Sequence, residues 1–528
     1  MRSGARLRFV AFGSADDPLV ILDVEKGSAQ AKYLRCYLHD LGARSILIEP
    51  HYFDRDYLAE FSAFYATSTA GYPNVCQRLH VFAREVDRDM FARAVGGCAS
   101  TRDELRAAYL GHIVLRPLPD APIGRAVLRT YPDDAGIAAG TPRIMEPARR
   151  YDAHVAGVTL SVRGLAWQQQ ESAVGACATV AIWSMLHASA FDDHHAIPTT
   201  AEITLAARHG FPTGRRVFPA ADGMRIEQML EAIKRQGLAP VLVESDDTDG
   251  FTRERFCSLV GAFLRSGYPV LVNAVMDDQP RSGHAVCIVG FRSPPPPTVP
   301  DRTIEYADAN IEIVYVHDDN LGPNVRFRVE TDESERGQQV IQLRVEPPRP
   351  THGSLPTDDP TVEYDLLIPT EIVVAVHPEL RTDPEQLQTA ARSCTDWLPE
   401  ALDLEMAEQG TSGSTGMLLG CRFIPWVDYV DRELATALGE RPAALARARL
   451  GLWEQVPPMS LHVGLVRVSL ELTPLMDILF DTSDSDRHLR PAAHVVFHQR
   501  VSEIRRRWAS RLDGADRALD LGVEVQAW

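Results

Sequence analysis

The chain has 528 residues, 45% hydrophobic and 24% charged, which is the make-up of a globular protein long enough for about two to four domains. With 72 acidic against 54 basic residues the formal charge is −18, which opposes non-specific binding to nucleic acid or to anionic membrane surfaces. No run reaches the roughly 18 uninterrupted apolar residues of a membrane-spanning helix, and the N-terminal run does not read as a signal peptide.

The eight cysteines, Cys36, Cys76, Cys98, Cys177, Cys257, Cys287, Cys394 and Cys421, are scattered without a C-x-x-C pair. They are expected to be free thiols in a reducing cytoplasm, not a disulfide framework or a structural zinc site.

In chain order, residues 1–150 alternate strand-like and helix-like runs. LRFVAF, LVILDVE and SILIEP read as strands, SAQAKYLRCYLHDLG as a helix closed by a glycine, and RDYLAEFSAFYA as a second helix. The alternation predicts an α/β or mixed domain with helices on a sheet. YLGHIVLRP is strand-like as far as Arg116, where a buried ion pair is the expected role. IEPHYFDRDY ends a strand and opens a helix, so Glu49, His51 and Asp54 could line a ligand, although capping and surface polarity explain them more cheaply.

Residues 151–350 form the second expected domain. QQQESAVGACATVAIWSMLHA places Cys177 at the mouth of an apolar helix. Thr199 and Glu202 have the spacing of a capping box. In RERFCSLVGAFLRSG the residues Phe256, Leu259, Val260, Phe263 and Leu264 form the stripe of a helix lying on a core, with Gly267 suited to its end. YPVLVNAV, HAVCIVGF and IEIVYVH read as buried strands, and DDNLGPN as a turn. RSPPPPTVP must be a loop. EPPRPTHGSLPTDDP reads as a linker or long connection to a third domain, 361–528, of α+β character, or to a region packed as one unit with the second domain; in it DLLIPTEIVVAVH and MSLHVGLVRVSL are strands and VDRELATAL and AHVVFHQRVSEIRRRWASRL helices.

A cysteine nucleophile needs a base, a group that orients the base, and donors for the developing oxyanion. Cys177 at a helix start is favoured as thiolate by the helix dipole. His284, in SGHAVCIVGF, could take its proton, and Asp318, 34 residues on at the end of the next strand, could hold the imidazole in its working tautomer. Gln170, seven residues before Cys177, could complete an oxyanion hole with the Cys177 backbone N–H.

This order, a glutamine ahead of a cysteine helix, then SGYPVLV and SGHAVCIVGF, then a strand ending in DDNLG, resembles the papain-like cysteine peptidases and in particular their bacterial C39-like branch. The resemblance covers residues 167–326. It implies an α+β papain-like catalytic domain flanked by the N-terminal α/β and C-terminal α+β domains. It also implies hydrolysis of a peptide or isopeptide bond without a cofactor, with Cys177 as nucleophile, His284 as base, Asp318 as its orienting group and Gln170 at the oxyanion. Asp319 remains an alternative to Asp318, and Gln168 and Gln169 to Gln170. The implied partner is a protein or peptide substrate, with the flanking domains selecting it or docking a protein partner.

Two rival readings use the same residues: acyl transfer in the manner of transglutaminase-like enzymes, and a catalytically inactive interaction module. Asp192, Asp193, His194 and His195 in FDDHHAIP read as a solvated loop, and FDTSDSDRH lacks the glycine and distal glutamate of an EF-hand loop. EIRRRWASR is the strongest local basic run and reads as a charged helix face.

Overall fold

A computed structural model describes residues 6–130, 143–171, 176–191, 196–209, 223–245, 250–276, 283–294, 299–300, 302–334, 337–346, 366–408, 416–470, 473–483, 489–511 and 522–528. Residues 192–195, residues 295–298 of the proline-rich loop, most of the expected linker and residues 484–488 lie outside this set. Packing divides the chain into two compact units. One comprises Met1–Phe251, Gly267–Arg292 and Glu312–Ala375, the other Thr252–Ser266, Ser293–Ile311 and Val376–Trp528. The boundaries expected near 150 and 350 both fall within the first.

The first unit opens with a five-stranded sheet in chain order: β1 (Arg8–Ala11), β2 (Ser45–Tyr52), β3 (Cys76–Phe82), β4 (Tyr109–Leu115) and β5 (Ile123–Leu128). Each strand runs antiparallel to its neighbour. Of the two expected arrangements, α/β or mixed, this is the mixed one, because each strand pairs with its predecessor in the opposite sense even where helices intervene. LVILDVE is helical, not a strand. Asp17 accepts from the Leu19 N–H and Pro18 follows as the first helical residue, a start signal that outweighs the β-branched content.

Helix α1 (Ala29–Asp40) is capped by Ser28 and buries Ala31, Tyr33, Leu34, Tyr37 and Leu38. Helix α2 (Arg55–Ala63) is capped by Asp54. A two-stranded ribbon, β6 (Arg149–Val155) and β7 (Val158–Gly164), follows, and then α3 (Cys177–Leu186), buried from Ala178 onwards.

The rest of the unit is built on β8 (Ala239–Glu244), β9 (Val270–Met276), β10 (Gly283–Arg292), β11 (Ile313–Asp318), β12 (Gly322–Glu333), β13 (Gln339–Glu346) and β14 (Leu366–Val376). Their order is β13-β12-β11-β10-β9-β14-β8, and β13 also pairs with β14, which closes six of them into a barrel. The near-continuous apolar runs of β9, β10 and β11 are buried as a closed sheet requires. Thr199 and Glu202 form the expected capping box at the head of helix Thr200–Ala206.

The second unit has a six-stranded sheet in the order Ile304–Tyr306, Met417–Pro425, His462–Leu470, Thr473–Asp481, Pro491–Val496 and Val523–Gln526. The outer pairings are parallel and the inner ones antiparallel. Helix Arg253–Arg265 belongs here, with all five residues of its expected stripe buried, and Gly267 takes φ +81° just past its end. The run AHVVFHQRVSEIRRRWASRL is not one helix: its first residues extend strand Pro491–Val496 and a helix occupies Gln499–Arg511. Within that helix Arg505 pairs with Glu524 and Arg507 with Glu405, while Arg506 donates to the Ser502 hydroxyl.

Candidate active site

The antiparallel register of β10 and β11, with Cys287 opposite His317, brings the start of one strand beside the end of the other. His284 is the second residue of β10 and Asp318 the last of β11, both buried. His284 Nε2 lies 3.3 Å from Asp318 Oδ1 and 3.8 Å from Asp319 Oδ1. The Cys177 side chain lies close enough to the same imidazole to favour its charged form. Burial works against a charged ring here, but Asp318, Cys177 and Asp319 overcome it, and His284 is held well above the ordinary imidazole range.

Cys177 is the first residue of α3, after Ala176, whose side chain cannot cap the helix. The first-turn N–H groups are therefore left without a side-chain cap at the sulfur's own end of the helix. Cys177 is half-buried, unlike Cys76 and Cys257, whose thiols burial pushes up to about 12. Cys287 and Cys421 are buried and raised for the same reason.

The turn after β11 is anchored on many sides. Asp318 Oδ1 accepts from the Asn320 N–H at 2.9 Å, and its carbonyl accepts from the Trp167 indole at 2.8 Å. Helix α1 supports the turn from below: Gln30 donates to the Asp319 carbonyl, Tyr33 to the Pro323 carbonyl at 3.0 Å, and the Tyr37 hydroxyl accepts from the Asn324 amide at 3.0 Å. Asn324 takes φ +54°, a conformation asparagine tolerates. His317, next to Asp318, is a contrasting histidine. Its Nδ1 accepts from the Asn324 N–H and its Nε2 faces the Leu165 carbonyl, and burial lowers it to about 4, so it is neutral and structural.

Among the glutamines, Gln169 is spent on structure, its side-chain oxygen accepting from the Ile123 N–H. Gln170 donates to Asn320 Oδ1, which puts it at the Asp318 turn. Gln168 is buried, and its amide nitrogen has no hydrogen-bond partner among the described residues. The residues singled out in the first 150 serve the framework. Glu49 pairs with Arg78 (2.6 Å) and His80 (2.9 Å), Asp54 with Arg125 (2.6 Å), His51 is exposed, and Arg116 makes a buried pair with Glu60 while donating to the Gln169 carbonyl.

Sequence reasoning weighed Asp319 only as a substitute for Asp318, whereas both carboxylates face the same ring. His284, Asp318 and Asp319 form the one cluster among the described residues whose donor atoms lie close enough together for a metal ion. Among the described residues no helix is long and apolar enough to cross a membrane. Compared with models of known protein families and with curated protein sequences, the chain matches none.

Proposed function

We propose that the chain is a papain-like cysteine hydrolase of C39-like type that cleaves a peptide or isopeptide bond. The observation that carries this reading is the continuous chain from the Cys177 thiol at the head of α3, through the His284 imidazole, to the buried Asp318 carboxylate. In the resting site the Cys177 proton already sits on His284, whose charged ring Asp318 stabilises, and in the reaction the thiolate attacks the acyl carbon. His284 returns the proton to the departing amine. It then draws a proton from water, which attacks the thioester and frees the acid.

The Cys177 backbone N–H and the Gln170 amide serve the oxyanion, Gln170 exchanging its bond to Asn320 for one to the oxygen. Losing such a donor costs on the order of 10² to 10³ in rate. The substrate is a protein or peptide. None of the eight cysteines is in a disulfide, which suits a reducing cytoplasm.

Iodoacetamide labelling resolved by mass spectrometry at about pH 6 tests this, because an ordinary thiol with a pKa near ~8.5 is then almost wholly protonated. Cys177 should label at least about ten-fold faster than Cys36, and should lose that lead in His284→Ala. Equal rates for Cys177 and Cys36 in metal-free wild type would sink the hydrolase reading in favour of an interaction module. Where a product is found, added amine separates hydrolysis from acyl transfer.

A further inference from the structure

We propose that His284, Asp318 and Asp319 form a binding site for one zinc ion, which holds the hydrolase site in a resting state. The consequence for catalysis rests on the hydrolase reading above; the binding does not.

A histidine that only shuttles a proton needs one orienting carboxylate. Here a second is brought to the same nitrogen, and both acids are almost fully buried, Asp318 at 0% and Asp319 at 2% exposure. Neighbouring residues in a strand point to opposite faces. Asp318 and Asp319 escape that rule because the strand ends at Asp318 and Asp319 begins the turn, just after a register shift between Val316 and Asp318. Two buried carboxylates beside one imidazole repel each other and lose hydration, a cost that a dication relieves.

The spacings admit a metal as a second bridge besides the proton of the His284–Asp318 bond. A charge-assisted N–H···O bond closes to about 2.7–2.9 Å, whereas the ring nitrogen stands 3.3 and 3.8 Å from the two oxygens. Zinc bonds of about 2.0–2.2 Å to nitrogen and carboxylate oxygen give ligand-to-ligand edges of about 3.3–3.6 Å in a tetrahedron, opening further when one angle widens. All three donor atoms lie within 4.8 Å of one another. One imidazole and two carboxylates suit zinc, with the fourth position left to water, and suit magnesium poorly, which prefers an octahedron of oxygens.

The outer contacts are those of a held ligand set: the Asn320 N–H on Asp318 Oδ1, the Trp167 indole on the Asp318 carbonyl, and Gln30 on the Asp319 carbonyl. On binding, the Nε2 lone pair goes to the metal and any proton it carried leaves to solvent. A ring so held no longer passes between its neutral and charged forms, so it cannot serve Cys177.

The test uses the full chain stripped with EDTA and titrated with zinc alone against a chromophoric chelator. One equivalent should bind, with affinity weakened by at least about ten-fold in Asp319→Asn and in His284→Ala and unchanged in Cys98→Ser. Failure of the wild type to take up an equivalent, or wild-type affinity in Asp319→Asn, would overturn the site. Because a variant can misfold, cobalt is added to the wild type as a second measure. Intense visible bands of four-coordinate cobalt support the site, and only the weak bands of six-coordinate cobalt overturn it. Labelling of Cys177 in the metal-free chain separates the two proposals: activation without zinc binding removes this inference alone, and zinc binding without activation removes the hydrolase reading alone.

Discussion

Cys98 caps the helix Ala99–Ala108, fully exposed, with the hydroxyls of Ser100 and Thr101 at 3.4 and 3.2 Å from its sulfur. Those bonds lower its thiol to about 7. The thiolate fraction grows as pH rises through that value, so its labelling should be half-maximal near pH 7, and Ser100→Ala should move the midpoint upward. A midpoint near the ordinary ~8.5 would refute this. Labelling of Cys98 should be indifferent to His284→Ala, which tells it from the labelling proposed for Cys177. At this scale Cys177, His284 and Asp318 were readable because each sits in a local pattern: a residue heading an apolar run, G-H-A-V, and a strand closed by D-D-N-L-G. The approach of Asp319 to the same ring was not, since it depends on where the strand ends, just after a register shift between two strands, which no local pattern encodes. Cys98 was overlooked because its hydroxyl partners matter only once a helix sets them around the sulfur.

Helix α1 carries the Asp318 turn as a fixed support. Gly322 closes that turn against the Tyr33 ring, and a Cβ there would lie 2.1 Å from Tyr33 Cδ1. Gly322→Ala should therefore destabilise the protein by about 1–3 kcal/mol, measured by urea unfolding, and slow Cys177 labelling as the turn moves. Tyr33→Ala should partly relieve it, so the double variant should cost less than the two singles together, by about 1 kcal/mol. Strict additivity would show that the ring and the turn do not press on each other. Helices with a clear stripe, such as Arg253–Arg265, and strands with continuous apolar runs, such as β10, were readable from periodicity. LVILDVE misled because apolar composition is shared by buried helices and strands, and Asp17-Pro18 was the signal that decides it. The closure of β13 on β14 was not readable, since the pairing spans residues outside any local window.

For the whole molecule, the second unit draws Thr252–Ser266 and Ser293–Ile311 from within the stretch that builds the first. A cut at residue 375 should therefore leave two incomplete pieces. Residues 376–528 would lack helix Arg253–Arg265, whose Phe256, Leu259, Val260, Phe263 and Leu264 are buried within that unit, and would lack edge strand Ile304–Tyr306. Expressed separately, this fragment should be insoluble or bind the dye ANS; a soluble, cooperatively unfolding fragment would contradict the interleaved arrangement. Removing residues 1–150 should likewise unfold the site, because Ala126 pairs with Trp167 and Tyr37 holds Asn324.

The interleaving also has a cost in time. On a ribosome working at about 5–20 residues per second, helix Arg253–Arg265 is finished roughly 8–30 s before strand Met417–Pro425 begins to be made. Through that interval its apolar stripe has no native cover. The nascent chain thus depends on a chaperone, or on temporary shelter, at one identifiable segment, and slowing translation should raise aggregation where faster synthesis lowers it.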